Sequence, residues 1–104
     1  MFFLMRCTHR PNADADRDRL RPAHRAWNRT GGEGRVSVLT GSALWDDDGA
    51  ALGHWGLIEA ASPQDARAYI DGDPFVTGGV VTQIDLTRLA DSFAADRITP
   101  RMSV

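Results

Sequence analysis

Residues 35–41 read Arg-Val-Ser-Val-Leu-Thr-Gly, and residues 53–60 read Gly-His-Trp-Gly-Leu-Ile-Glu-Ala. The first run alternates and is rich in β-branched residues, which marks a strand. The second is its return. Between them Asp46, Asp47, Asp48 and Gly49 make a polar turn, so the two runs form a hairpin. Whatever flanks this hairpin decides the fold.

On its N-terminal side, Leu20, His24, Trp27 and Gly31 fall at i, i+4, i+7 and i+11. That spacing puts them on one face of a helix over residues 20–30. Gly31 and Gly32 supply its stop signal. Pro22 is expected in the first turn, where a missing N–H costs nothing. Residues 11–19, dense in Asp and Arg, read as a loop or helix approach. Phe2 to Cys7 is short, apolar and followed by a polar stretch, so it is the first strand. On the C-terminal side, Ser62 reads as an N-cap, with Pro63 at the first helical position and Asp65 three residues after the cap. That helix should run to about Ile70 and bury Ala66, Tyr69 and Ile70, with Asp73 continuing the stripe. Gly72, Asp73 and Pro74 end it. Val80 to Leu86 alternates and is the last strand.

The order is therefore β-α-β-β-α-β. With right-handed crossovers this predicts an α+β, ferredoxin-like sandwich: one antiparallel sheet with two helices on one face. A sheet covered on one side should alternate cleanly. The first strand does not, with Phe3, Met5 and Cys7 on one side and Phe2 and Leu4 on the other. The economical explanation is a homodimer packed sheet to sheet.

Composition narrows the chemistry. The 104 residues carry 12 basic and 14 acidic groups for a net charge of -2, with 42% hydrophobic residues. This describes one globular domain, expected over residues 1–89, with residues 90–104 as a weakly patterned tail. A near-neutral balance gives no reason to expect nucleic acid as partner. Every basic residue is arginine. A lysine Schiff base and a P-loop are thereby excluded, since both need lysine. Cys7 is the only cysteine, too few for a disulfide or a zinc-thiolate site. A reduced, cytoplasmic setting is expected. The apolar N-terminus stops at Arg6 and lacks a preceding basic region, so no signal peptide is read there. No apolar run approaches the roughly 20 residues that span a membrane.

Three elements carry a resemblance: Arg21-Pro22-Ala23-His24, Gly34-Arg35 through Thr40-Gly41, and Asp71-Gly72-Asp73-Pro74-Phe75. With the element order, they make the chain resemble the YciI-like (YCII-related, DGPF-domain) family over residues 1–89. The resemblance implies a dimeric α+β barrel of the muconolactone-isomerase type. It also implies a cleft holding a His and an Asp that act as an acid–base pair, which map onto His24 and Asp73. The segment that reads Ala-Gly-Pro in many relatives is Thr40-Gly41-Ser42 here, which changes the cleft wall.

Each candidate also has a plainer explanation. By itself His24 fits a core histidine satisfied by one hydrogen bond; its ordinary pKa near 6.5 suits it equally to proton transfer. Asp73 precedes a proline and so is biased to extended backbone; it could end the helix with an Asx turn or direct its carboxylate at His24. Asp71 is a competing carboxylate. His54 could line a cleft but is expected to be structural or solvent-facing, and His9 solvated. The three histidines show no metal-ligand spacing, and no metal or cofactor is expected. Ser42 suits hydrogen bonding to a ligand better than nucleophilic attack. Trp45 and Phe75 could wall a pocket for a flat or cyclic ligand. The function expected is proton transfer, as isomerisation or elimination, on a small cyclic or carbonyl-containing substrate. The alternative is a dimeric module that binds a small ligand without turning it over.

Overall fold

The computed structural model describes residues 1–103. The elements are β1 (Phe2–His9), α1 (Asp14–Arg29), α2 (Gly31–Gly34), β2 (Val36–Trp45), β3 (Ala51–Ala60), α3 (Pro63–Asp71), α4 (Pro74–Thr77) and β4 (Val81–Arg88), followed by a 3-10 turn at Ala95–Arg97. The sheet order is β2-β3-β1-β4, and every neighbouring pair is antiparallel. This is the ferredoxin-like βαββαβ arrangement, as expected.

The hairpin is longer than the sequence run suggested. Its turn is built by Asp46, whose Oδ1 accepts from the N–H groups of Asp48 and Ala50. Gly49 follows at φ +84°, a conformation glycine adopts freely. In α3, Ser62 caps as expected, its hydroxyl accepting from Asp65 N at 3.1 Å. Ala66, Tyr69 and Ile70 are all buried on the face that meets the sheet.

The first helix starts six residues before the expected Leu20. Residues 14–19, read as a loop approach, are helical. They escaped the periodicity reading because their face is held by ion pairs and not by apolar residues: Asp14 with Arg17, Asp16 with Arg19, and Asp18 with Arg21. Such i,i+3 pairs support a helix, and Asp14 and Asp16 in the first turn complement its dipole. Consequently Pro22 lies inside the helix and not in its first turn. Both Pro22 and Asp18, whose carbonyl loses its helical partner, are exposed, so water can satisfy the free carbonyl.

The helix stops at a left-handed turn: Gly31, Gly32, Glu33 and Gly34 all have positive φ. The turn brings β2 under the helix within five residues. Trp27 is fixed there by its indole N–H donating to Tyr69 O at 2.9 Å. At Gly31, φ is +62° and an added Cβ would lie 1.9 Å from Val36 O. Gly31→Ala should therefore cost about 2 kcal/mol or more, combining left-handed strain with a backbone clash. Chemical denaturation of that variant checks this; a loss below about 0.5 kcal/mol would contradict the turn.

The core lies between the sheet and the helices, around Phe3, Met5, Cys7, Val38, Ile58, Tyr69 and Ile70. Burial pushes the Cys7 thiol up to about 12, so it is neutral and inert. On the opposite sheet face, Phe2 is half-buried and Leu4 is exposed. The chain's own tail crosses part of this face. Phe93 packs edge-on against Phe2 with centroids 5.5 Å apart. Arg101 bonds Glu59 Oε1 at 2.7 Å and Ser37 Oγ at 2.8 Å. The N–H groups of Met102 and Ser103 then donate to the carbonyls of Leu39 and Val38. The tail is thus ordered to Ser103; its last residue, Val104, lies outside the described residues. Among the described residues no helix is long and apolar enough to cross a membrane.

Candidate active site

A cleft of about 460 Å³ opens between α1 and the β2–β3 half of the sheet. Gly41 lies directly across from Gly56 in the ladder. Neither projects a side chain, so this part of the floor is bare backbone. His9, His24, His54, Asn28 and Phe75 line the inner end, and Trp45 stands near the mouth, 68% exposed. Ser42 also lines the cleft, but its hydroxyl donates to Ala43 O at 2.8 Å.

His24 and Asp73 meet at this inner end. His24 Nδ1 lies 2.7 Å from Asp73 Oδ1. Asp73 is 3% exposed and sits in extended backbone (φ -62°, ψ 129°), as the following proline demands. The same Oδ1 accepts from Phe75 N at 2.9 Å, capping α4. Asp73 is therefore both a helix cap and the partner of His24. Phe75 stacks on the imidazole at 3.9 Å, with planes 11° apart, and holds the ring in place. The competing Asp71 points away and pairs with Arg67 at 3.1 Å.

His9 corrects the sequence reading, and of the expectations for His54 only the solvent-facing one fails. Neither is solvent-facing; they are 8% and 7% exposed. His9 Nε2 lies 2.8 Å from His54 Nδ1, and His54 Nε2 lies 3.6 Å from Asp73 Oδ2. Strand pairing brings them together, because β1 and β3 align Cys7 with His54 and put His9 at the same end. A bulge between Thr8 and His9, on the β4 side, helps turn the ring inward.

Donor directions order the whole network. Arg17 is always charged and can only donate; its guanidinium meets His9 Nδ1 at 3.4 Å. His9 therefore carries its proton on Nε2 and donates to His54 Nδ1. That places the His54 proton on Nε2, facing Asp73, where it has no hydrogen-bond partner among the described residues. On the other side His24 Nδ1–H donates to Asp73. His24 Nε2 then accepts from Asn28 Nδ2 at 3.1 Å, and Asn28 Oδ1 accepts from the Tyr69 hydroxyl at 2.6 Å. Burial pushes the Tyr69 hydroxyl well above its ordinary value, so it remains a donor.

The two extra histidines are held neutral. Burial lowers His9 to about 4, with the Arg17 charge adding to the effect. Burial lowers His54 to about 4 against the opposing pull of Asp73. His24, His54 and Asp73 also bring one ligand-type atom each within 4.8 Å of one another.

Fold and cleft together define a small α+β protein built as a ferredoxin-like βαββαβ sandwich. The chain belongs to the YCII-related domain family, whose model matches residues 1–90. Among solved structures it is similar to 5-chloro-2-hydroxyhydroquinone dehydrochlorinase (TftG) from Burkholderia phenoliruptrix AC1100, in complex with 2,5-dihydroxybenzoquinone. That match has 22% identity and a TM-score of 0.74, covering 86% of this chain and 94% of the other. It is also similar to Rv0793 from Mycobacterium tuberculosis, at 16% identity and a TM-score of 0.51, covering 89% of this chain and 97% of that one. No curated protein matches the sequence significantly. These likenesses concern the fold alone.

Proposed function

We propose that the chain is a small cofactor-independent enzyme in which His24 and Asp73 form an acid–base pair for proton transfer, leading to isomerisation or elimination, on a small cyclic or carbonyl-containing substrate. The observation that carries this is the 2.7 Å contact between His24 Nδ1 and a buried Asp73 at the inner end of the cleft. Asp73 holds the proton on Nδ1 and leaves the Nε2 lone pair as the base. A substrate entering the cleft displaces the Asn28 amide from Nε2 and presents its acidic C–H or O–H there. The imidazolium that forms is stabilised by the Asp73 carboxylate. The proton then returns to a different atom of the substrate, or a leaving group departs. The arginines on α1 offset the negative charge that develops. That the similar dehydrochlorinase is named for an elimination supports this reaction class.

The working unit proposed is a homodimer, joined through the face that carries Leu4, Trp55 and Leu57. Light scattering at micromolar concentration should give twice the chain mass; a monomer would rule out this assembly.

One observation favours a second reading, a ligand-binding module without turnover: in the free protein Asn28 already occupies His24 Nε2. A panel of hydroxyquinones, halogenated hydroquinones and lactones, incubated in D₂O and followed by NMR, separates the two. Enzyme-dependent hydrogen exchange or halide release supports the acid–base pair. Binding without either supports the module.

A further inference from the structure

Arg17, Arg21, Arg25 and Arg29 are spaced by four along α1, and all of them line the cleft. In a helix that spacing makes a single row about 18 Å long. Among the described residues no Asp or Glu lines the cleft surface, Asp73 lying buried behind His24. The chain as a whole has a net charge of -2. Positive charge is therefore concentrated on this one wall.

The row is not uniform. Arg17 is buried and committed to His9 and Asp14. Arg21 pairs with Asp18 at 2.7 Å. Arg25 and Arg29 have no ion-pair or hydrogen-bond partner among the described residues. They lie one turn apart on α1 and are exposed, so both guanidinium groups are open to a ligand at the cleft. A guanidinium fork matches a carboxylate in shape and charge. Opposite them the floor is bare backbone at Gly41 and Gly56, with Phe75 at the inner end. Such a slot receives a planar ring, and its volume of about 460 Å³ suits one ring with its substituents.

We propose that the ligand of this cleft is a planar ring acid whose carboxylate is bound by Arg25 and Arg29, its ring lying over the Gly41–Gly56 floor. This names the substrate class and rests on the reading of the cleft as a substrate site.

Equilibrium binding tests it, with 2,5-dihydroxybenzoate and its neutral isostere 2,5-dihydroxybenzamide as probes, measured calorimetrically. The wild-type chain should bind the acid about tenfold or more tighter than the amide, as expected for charge-assisted bonds. Raising the salt concentration should shrink that ratio, since both arginines are exposed. In the double variant R25Q/R29Q the preference for the acid should disappear, the two probes binding alike. The exposed positions keep the fold intact, which circular dichroism checks. Equal binding of the two probes by wild type, binding of neither, or a preference that survives in R25Q/R29Q overturns the proposal. His24→Gln should retain the preference for the acid. If it does and wild type turns over neither the D₂O panel nor 2,5-dihydroxybenzoate added to it, the acid–base reading fails while the ring-acid site stands.

Discussion

Replacing His24 by Gln should slow proton transfer in the cleft by about 10²- to 10⁴-fold while leaving the chain folded. Glutamine can still reach Asp73 and Asn28, so the packing against Phe75 is the main loss. What disappears is a basic nitrogen. Asp73→Asn should reduce the rate by a comparable factor through a different cause. An amide at this position can present an N–H to Nδ1, which moves the imidazole proton to Nε2 and removes the lone pair that acts as base. The two variants are separable by ¹⁵N NMR of the imidazole: the wild type carries its proton on Nδ1, and Asp73→Asn carries it on Nε2. Rates unchanged in both variants, against a substrate found in the panel, would remove His24 and Asp73 from the chemistry. Unfolding of His24→Gln would make the residue structural.

Stability should fall as the pH drops from about 6.5 to 4. In the unfolded chain a histidine takes up its proton near pH 6.5. In the fold, His9 and His54 do so only at about 4. Between those values the unfolded state binds more protons, so acid favours it. The stabilising contribution is complete above pH 6.5 and is lost toward pH 4. One such histidine accounts for about 3 kcal/mol across this window, a large share of a small domain's typical 5–15 kcal/mol. The two do not simply add, because they share a hydrogen bond and face the same His24 and Asp73. Urea denaturation at intervals between pH 7 and 4 measures the slope. The double variant H9Q/H54Q should flatten it, leaving the shallower decline of carboxylate titration. A wild-type curve as flat as the variant's would mean that these rings charge freely in the fold.

Much of this was legible from the residues. The alternating runs on either side of Asp46–Gly49 gave the hairpin, and Ser62-Pro63 with Asp65 gave the start of α3. The pairing of His24 with Asp73 came from the family resemblance carried by Arg21–His24 and Asp71–Phe75; spacing alone left His24 as a core histidine. Three parts were hidden, each for a physical reason. The first half of α1 is stabilised by Asp–Arg pairs, and apolar periodicity does not register them. Because that half read as loop, the four-residue spacing from Arg17 to Arg29 did not appear as a row. His9 and His54 are 45 positions apart in sequence. They become neighbours only when β1 and β3 are laid side by side with their register. The order βαββαβ already makes those strands adjacent, so the end of β1 and the beginning of β3 were the places to look. Asn28, four residues after His24, was readable from helical spacing alone.

The last residues of the chain have a consequence for association. β2 is an outermost strand, and an outermost strand offers unsatisfied amides and carbonyls on which a foreign chain can template. At Val38 and Leu39 those groups are already taken by Met102 and Ser103, with Val38 N donating to Ser103 Oγ at 2.7 Å. The polypeptide blocks its own edge there. The open remainder of that edge runs from Gly41 to Trp45, beside the cleft mouth, and ends at the hairpin turn where three consecutive aspartates repel an acidic partner. Growth of the sheet by strand addition is thus hindered at both ends of the strand that invites it most.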